Sequence, residues 1–599
     1  VSGYVEGGHV VATAGHVDHG KTTLVAALTG MQPDRWAEER RRGLTLDLGF
    51  AWTRLPSGRE VAFVDVPGHQ RFLANTLAGL GPAPVVSFVV AADEGWCAQS
   101  GDHRDAIAAL GIEHGLLVIS HADRAPDRAG EVLTQARAEL AETGLADAPA
   151  VVVSAVTGAG LDDLRSTLDR LLADLPAPAA EGRLRLWIDR SFTITGAGTV
   201  VTGTLAAGTL RRGDRLHLCG PDGDHPVEVR GLQRCGRSHS VVAPTARVAV
   251  NLRGRPADGI HRGHALLTPD AWPLTRVVDV RRCGGGALTD APAGITVYAG
   301  TAAVPARLRP LGPDHARLTL DRALPLVFGD RVVLRAPGAP RLIGGARVLD
   351  AEPPAFARRG AGARRAAVLA ALPPDGDVAG EVARRGAVRA AHLRRLGLTG
   401  EPGPQVAEVD GWWVDIASRR GWRRRLVEAV EENRQRNPLA PGLSRGAARD
   451  LLGLPDATLL DTVLAGTGLQ HSGGHIRAPG HGDLGPAEPA IAALEARLAT
   501  TPFQAPEAHD LAELRLGVRE LAAAEGAGRL LRVGDGVVLL PTAPALAMRR
   551  LAALPQPFTT STARRALETS RRVAIPLLEH LDARGWTRRT DPAHREVVR

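Results

Sequence analysis

Ala14-Gly15-His16-Val17-Asp18-His19-Gly20-Lys21-Thr22 is the stretch on which the fold turns. It satisfies GxxxxGK[ST], lying between an apolar run, VVATA (10–14), and a helix-forming one, TTLVAALTG (22–30). Gly15 and Gly20 let the backbone N–H groups of His16, Val17, Asp18 and His19 curl around an anion, and a helix start adds partial positive charge there. In such a loop Lys21 reaches the β- and γ-phosphates, the Thr22 hydroxyl can ligate Mg²⁺, and Thr23 continues the first helical turn. Lys21 is also the only lysine in the chain; every other long cationic side chain is arginine. A compact ammonium fits between two phosphates where a guanidinium fork does not.

Working outward, Asp65-Val66-Pro67-Gly68-His69 closes a strand-like run, VAFVDV. An acid at a strand end can hold Mg²⁺ through water, and Gly68 can offer its N–H to a third phosphate. Between the two motifs lies Arg40-Arg41-Arg42-Gly43-Leu44-Thr45-Leu46-Asp47-Leu48-Gly49. A threonine here completes a magnesium shell only while the third phosphate is present, which is the basis of a switch.

Residues 9 to about 175 alternate strand-like runs with amphipathic helices, the rhythm of an open, mostly parallel sheet. From about 182 the chain turns to short strands punctuated by Gly, Asp and Pro, such as TVVTGTL (199–205), RRGDRLHL (211–218) and GDRVVLRAP (329–337), which predict two antiparallel barrels. After a composition shift at RRGAGARR (358–365), a unit of roughly 60 residues recurs, helical segments followed by a short β-like tail. The tails are DGWWVDI (410–416), SGGHIRAP (472–479), VGDGVVLLP (533–541) and GWTRRTDPAHREVV (585–598). This is a winged-helix pattern; a bundle of structural helices is the other reading. The expected order is an α/β P-loop domain (1–176), two barrels (181–270, 271–357) and four winged helices (360–430, 431–482, 485–542, 545–599).

GHVDHGKT, RGLTLDLGF, DVPGH and AADEG together resemble a translational GTPase. The wording ATAGHVDHGKTTL, RGLTLDLGF and DVPGHQRFLANTLAG is most similar to the selenocysteine-specific elongation factors, and WIDRSFTITGAGTVVTGTLAAG, RVAVNLRG and IHRGHALL follow in the same order. The resemblance covers nearly the whole chain and is strongest over the first 270 residues. It implies GTP and Mg²⁺ as ligands, Thr22 and Thr45 on the metal, and His69 as the residue that orders the attacking water. The base-reading motif departs from N/T-K-x-D: GLLVIS runs into Ser120-His121-Ala122-Asp123. Asp123 can still accept from guanine N1 and N2, whereas His121 stands where a lysine packs along the base. Ser154-Ala155 follows a strand where the family contacts the guanine O6.

The resemblance also implies an aminoacyl pocket at Asp47, Arg190 and Arg247. A selenol ionises below neutral pH while a cysteine thiol, near 8.5, stays mostly protonated, so guanidiniums favour the selenolate. In the last unit Thr569-Ser570 is expected to cap a helix with apolar face Val573, Ile575, Leu577, Leu578 and Leu581. Arg571 and Arg572 then sit at a helix start, against the dipole, and with Arg588 and Arg589 form a basic face suited to phosphate. The implied partners are selenocysteyl-tRNA, a messenger RNA hairpin and the ribosome. A general aminoacyl-tRNA carrier and a nucleotide-switched DNA-binding regulator are the rivals. The long carboxy-terminal array argues against the first, the barrels with Arg190 and Arg247 against the second.

Bulk properties fit this picture. The chain has 599 residues, 44 % hydrophobic, with net charge +8, enough for several cores and compatible with a polyanionic partner. Neither an export signal nor a membrane span is read, so a cytoplasmic monomer is expected. Cys97, Cys219, Cys235 and Cys283 are widely spaced without a CxxC pair, supporting neither a disulfide framework nor a zinc site. His261 and His264 in HRGH are expected in a surface loop.

Overall fold

The computed structural model describes residues 7–33, 45–196, 198–356, 358–479, 484–534 and 536–598. Arg40 to Leu44, read above as part of the switch, lie outside the described residues. Two compact units are present: residues up to Val378 with Ala390–Glu401, and Ala379–Arg389 with everything from Pro402 onward. No helix among the described residues is long and apolar enough to cross a membrane.

The first unit begins with β1 (His9–Ala14), β2 (Gly49–Arg54), β3 (Glu60–Asp65), β4 (Val85–Ala91), β5 (His114–Ser120) and β6 (Ala150–Val152), in the spatial order β2-β3-β1-β4-β5-β6. All neighbours are parallel except the β2–β3 hairpin. Every residue of β4 is buried, as expected for a central strand covered by helices on both faces. One face packs on helices Leu73–Leu80, Ala98–Leu110 and Ala129–Leu140, the other on Lys21–Thr29 and Leu161–Ala173. The P-loop, DVPGH, AADEG, SHAD and Ser154 all follow carboxyl ends of these strands, so they gather along one edge of the sheet, where open α/β sheets bind ligands.

Two closed barrels follow. In the first, Gly223–Arg234 pairs with both Arg215–Gly220 and Ala246–Arg253, completing a ring of six strands with Arg237–His239 appended. In the second, Thr275–Arg282 pairs with both His315–Leu324 and Leu342–Asp350. His264, expected in a surface loop, is only 5 % exposed, its Nδ1 within hydrogen-bonding distance of the His261 backbone.

Helix Ala361–Ala371, assigned above to a first winged helix, instead packs on the second barrel. Asp279, fully buried, accepts from Arg317 at 2.7 and 3.0 Å and from Arg365 at 2.7 Å. Arg365 also reaches Asp350 at 2.5 Å, so the helix is fastened by buried charge. A guanidinium suits this job because its planar fork serves two carboxylates at once.

The second unit holds small sheets: three strands from Ala387–Arg389, Val406–Val409 and Trp412–Asp415; three from Leu443–Ser444, Gln470–Ser472 and His475–Arg477; two from Leu531–Val533 and Val537–Leu539; three from Phe558–Thr559, Thr587–Arg589 and His594–Val597. Each follows helical segments. The boundary expected at 430/431 falls inside one continuous helix, Ile416–Arg436, whose Trp422, Leu426 and Val430 join the cores on either side of it. The last helix, Arg571–Ala583, differs in two details. Its N-cap Ser570 makes no side-chain cap bond, and Thr569 Oγ1 donates instead to Phe503 O at 2.5 Å. Ile575 is 40 % exposed, while Ala574 and Pro576 are buried with Val573, Leu577, Leu578 and Leu581.

Asp279→Ala should destabilise the first unit by about 3–5 kcal/mol, because Arg317 and Arg365 lose their shared carboxylate while buried. Urea unfolding followed by tryptophan fluorescence checks this; a loss under about 1 kcal/mol would show the cluster is solvated.

Candidate functional site

The P-loop closes on Lys21. Its Nζ donates to Gly15 O at 3.0 Å and His16 O at 2.6 Å, and the residue is 6 % exposed. Burial pushes the ammonium down to about 8, against a smaller upward pull from Asp65 and Asp18. Gly15 sits at φ 127°, and a Cβ there would lie 2.1 Å from Val89 O, so only glycine lets the loop pass over β4. A Cβ on Gly68 would lie 2.5 Å from Val17 N and 2.7 Å from Lys21 Nζ. The DVPG turn is thus pressed backbone-first against the loop and its lysine.

Oxygen donors converge beside it. Thr22 Oγ1 donates to Asp65 at 2.6 Å and lies 3.0 Å from Thr45 Oγ1. Asp65 is fully buried and also accepts from Thr13 Oγ1 at 2.7 Å. Two hydroxyls and a carboxylate are hard ligands, so the set fits Mg²⁺ and not a soft metal. A cavity of about 280 Å³ lies here, lined by Val17, Asp18, Gly20, Lys21, Thr22, Thr23, Thr45, Gly68, His121 and Arg124.

His69 does not line that cavity. Its ring Nδ1 accepts from Arg71 N at 3.1 Å and caps the short turn Gln70–Phe72. Beyond it, Ser120 Oγ donates to His19 O at 2.7 Å, joining the SHAD segment to the P-loop. His121 adopts φ 55° and its Nδ1 lies 2.9 Å from Asp93. Asp123 is exposed and bonded to the Ser154 hydroxyl, which holds its carboxyl below the usual range. It is therefore ionised at neutral pH, the state needed to accept two bonds from guanine. Ser154 Oγ also accepts from Thr157 N at 3.1 Å, shaping the turn that carries Ala155.

Two supports escaped sequence reasoning. Gly15 N donates to His103 Nδ1 at 2.9 Å, and burial pushes this histidine down to about 3, keeping it a neutral acceptor. Gln99 Oε1 accepts from Val17 N at 3.2 Å. Both come from helix Ala98–Leu110, far away in sequence.

A second cluster lies between the sheet and the first barrel. Arg262 reaches Asp47 at 2.5 Å and Asn75 at 2.5 Å; Arg190 lies 3.6 Å from Asp47 and donates to Leu48 O. Burial works to raise the Asp47 carboxyl, but the Arg262 hydrogen bond and charge, the Leu48 N–H and Arg190 together hold it below its usual value. Arg247 forms a two-pronged pair with Asp189 at 2.5 and 2.8 Å and stacks 3.5 Å over Phe50. Arg190 lies 4.5 Å over the same ring. The three residues expected in one pocket line two cavities. Asp47 faces one of about 630 Å³ with Arg262 and His261, Arg247 faces one of about 320 Å³ with Phe50 and Trp52, and Arg190 borders both. Arg262 was hidden in HRGH because only the fold brings that loop to Asp47.

In the last unit, Arg572 donates to Ala505 O and Pro506 O at 3.1 and 2.9 Å and lies 3.3 Å from Glu507. Arg588 pairs with Glu596. Arg571 and Arg589 are exposed.

A mostly parallel sheet bearing a P-loop, a DVPGH turn and a SHAD segment along one edge, followed by two barrels, defines a translational GTPase. Residues 9–174 match the family model for the elongation factor Tu GTP binding domain, residues 289–355 that for the selenocysteine-specific elongation factor beta-barrel domain, and residues 549–595 that for the elongation factor SelB winged helix. The chain is 35 % identical over 455 residues to the selenocysteine-specific elongation factor of Escherichia coli (strain K12), spanning 74 % of this chain and 72 % of that protein, and it belongs to the selenocysteine-specific elongation factor family. The factor of Desulfomicrobium baculatum is 35 % identical over 356 residues, 57 % of this chain and 55 % of that one. A crystal structure of a bacterial selenocysteine-specific elongation factor, EF-Sec, is similar over 99 % of this chain and 100 % of its own, with 25 % identity and a TM-score of 0.74.

The folded-state value of Lys21 lies below its unfolded one, so its charge costs stability below about pH 8, and the cost fades as pH rises toward 10.5. Lys21→Met should abolish nucleotide binding yet stabilise the nucleotide-free protein at pH 7 by on the order of 1–2 kcal/mol. That advantage should shrink between pH 8 and 10, measured by denaturant midpoints; a variant less stable than the parent at pH 7 would refute it.

Proposed function

We propose that this GTPase binds selenocysteyl-tRNA in its GTP state, delivers it to the ribosome at recoded UGA codons, and reads a messenger RNA hairpin with its carboxy-terminal winged helices, acting as a cytoplasmic monomer. The observation that carries this reading is the arginine-rich junction tied to the switch. Asp47, two residues after Thr45, is held by Arg262 and Arg190, and Arg190 shares the Phe50 ring with Arg247. Among the described residues, three guanidiniums meet two carboxylates there, Asp47 and Asp189, an excess of one positive charge. An excess positive charge in a partly desolvated pocket favours a selenolate over a neutral thiol or hydroxyl.

In this reading Gly15, His16, Val17, Asp18, His19, Gly20 and Lys21 cradle the phosphates, Ser120, His121, Asp123, Ser154 and Ala155 hold the guanine, and Gly68 senses the third phosphate. Thr22 and Thr45 would hold Mg²⁺, with Asp65 bonded to the Thr22 hydroxyl; the ion would neutralise phosphate charge. His69 orders the attacking water after the ribosome turns it from its present cap on Arg71 N, which keeps intrinsic turnover slow.

The test is binding of selenocysteyl-, cysteinyl- and seryl-tRNA with and without a GTP analogue. Preference for the first by about 10-fold or more, only with the analogue, supports the reading. Equal binding of all three favours a general carrier, and no tRNA binding at all refutes both. Arg190→Ala should narrow the selenocysteyl-to-seryl gap. Arg247→Ala is a poor substitute, since it strands the buried Asp189 and should cost about 3–5 kcal/mol of stability.

At the tail, Arg571→Ala should weaken hairpin binding and lower its salt slope by about 0.7–0.9, one phosphate contact. Arg572→Ala should leave the slope nearly unchanged and act on stability instead, since Arg572 is bonded to Ala505 O and Pro506 O. Titration of hairpin RNA at several salt concentrations checks both; identical slopes for parent and Arg571→Ala would remove Arg571 from the RNA face.

A further inference from the structure

His16 and His19 belong to the phosphate loop, yet neither lines the phosphate cavity. His19 is fully buried, its Nδ1 lies 3.4 Å from Val89 O, and its Nε2 has no hydrogen-bond partner. A buried neutral ring that donates through Nδ1 presents a lone pair at Nε2. That lone pair lies 3.8 Å from a Glu94 carboxylate oxygen. Two electron-rich atoms facing at this distance repel unless a hydrogen-bond donor or a cation sits between them. His16 packs beside His19, ring centroids 5.0 Å apart, and its Nδ1 is likewise buried without a partner. His16, Glu94 and Cys97 each offer one ligand atom, and these atoms lie within 4.8 Å of one another, the one such trio among the described residues.

We infer that His16, Glu94 and Cys97, with His19 as a fourth donor, form a binding site for a tetrahedral, borderline-soft divalent cation of the zinc type. Imidazole, thiolate and carboxylate are the donors such an ion takes, whereas Mg²⁺ prefers the all-oxygen set at Thr22, Thr45 and Asp65. Ligand atoms around tetrahedral zinc are spaced about 3.3–3.7 Å apart, so the trio needs to close by only about 1 Å. The ion would pin the phosphate loop to the segment after β4 and to the start of helix Ala98–Leu110, which already touches the loop through Gln99. Binding forms a metal–sulfur bond as the Cys97 S–H proton leaves to solvent. Burial and the Glu94 charge raise the Cys97 thiol, so affinity grows with pH. The site was invisible to spacing arguments because its ligands come from two loops about eighty residues apart, with no CxxC pair. It does not depend on which tRNA the protein carries.

The test is a Co²⁺ titration of the reduced, nucleotide-free full chain. One Co²⁺ per chain, giving tetrahedral visible bands and a thiolate-to-cobalt charge-transfer band, and displaced by equimolar Zn²⁺ but not by excess Mg²⁺, is the expected result. Cys97→Ser should abolish the charge-transfer band, and Glu94→Gln should weaken Co²⁺ at least about 10-fold while keeping it. No thiolate band in the parent, or a band surviving in Cys97→Ser, overturns the assignment. Glu94 has a 45 % exposed side chain, so Glu94→Gln keeps the test decisive should Cys97→Ser misfold: unchanged Co²⁺ affinity in it also overturns the site.

Discussion

A single primary ammonium, buried and held by two peptide carbonyls, sets the geometry on which the rest of the first unit depends. The Lys21 ammonium donates to Gly15 O and His16 O. The loop must fold back on itself to bring those carbonyls in, which requires the left-handed backbone at Gly15 and Gly20. Burial pushes the ammonium toward neutrality, a strain that two phosphates would relieve. The nucleotide-free protein thus pays in stability for a site poised to bind anions.

The same loop is braced from behind and read from the front. His103 and Gln99 hold its amides from helix Ala98–Leu110, and Ser120 bonds His19 O from the base-reading motif. In front, Thr22 bonds both Thr45 and Asp65. From Thr45 the chain runs through Asp47 and Leu48, gripped by Arg262 and Arg190, to Phe50, which lies under Arg190 and Arg247. A short run of chain therefore connects the Thr45 hydroxyl, beside the phosphate loop, to the barrel arginines. Any displacement of Thr45 must break or re-form these contacts, which is a physical route for coupling nucleotide state to the junction.

Motifs were legible wherever function is carried by backbone shape. GxxxxGK[ST] and DVPGH specify turns that only glycine can make, so Gly15, Gly20 and Gly68 stand where spacing placed them. The sheet and both barrels were legible for the same reason, because buried parallel strands and turn-rich antiparallel ones differ in pattern. Contacts joining distant loops were not. Arg262, His103 and Gln99 carry no local signature, and HRGH read as a surface loop because nothing in four residues reveals that His264 is buried. Helix boundaries in the second unit slipped for a different reason. Ile416–Arg436 is rich in arginine and glutamate, with only Trp422, Leu426 and Val430 buried, so its polarity hid its continuity. At the last helix, Ser570 looked like a cap by residue type, but Thr569 is bonded to Phe503 O.

Net positive charge by itself does not mark a polyanion-binding face here, because many of the chain's guanidiniums are already engaged within the fold. In a chain with one lysine, guanidiniums take structural jobs that neutral donors perform elsewhere. Arg281 donates to Leu369 O and Leu372 O, Arg317 to Pro354 O, Arg572 to Ala505 O and Pro506 O. Arg365 and Arg317 are locked on buried carboxylates. Each has geometric reasons to be arginine that involve no partner, because one fork satisfies several acceptors at once. A basic face is therefore defined by subtraction: of the arginines in the last helix and its two following strands, Arg572 is tied to carbonyls, Arg588 to Glu596 and Arg595 to Asp582, leaving Arg571 and Arg589 exposed. Arg571 opens its helix with no acidic residue in the first turn, so its charge opposes the dipole uncompensated within that turn.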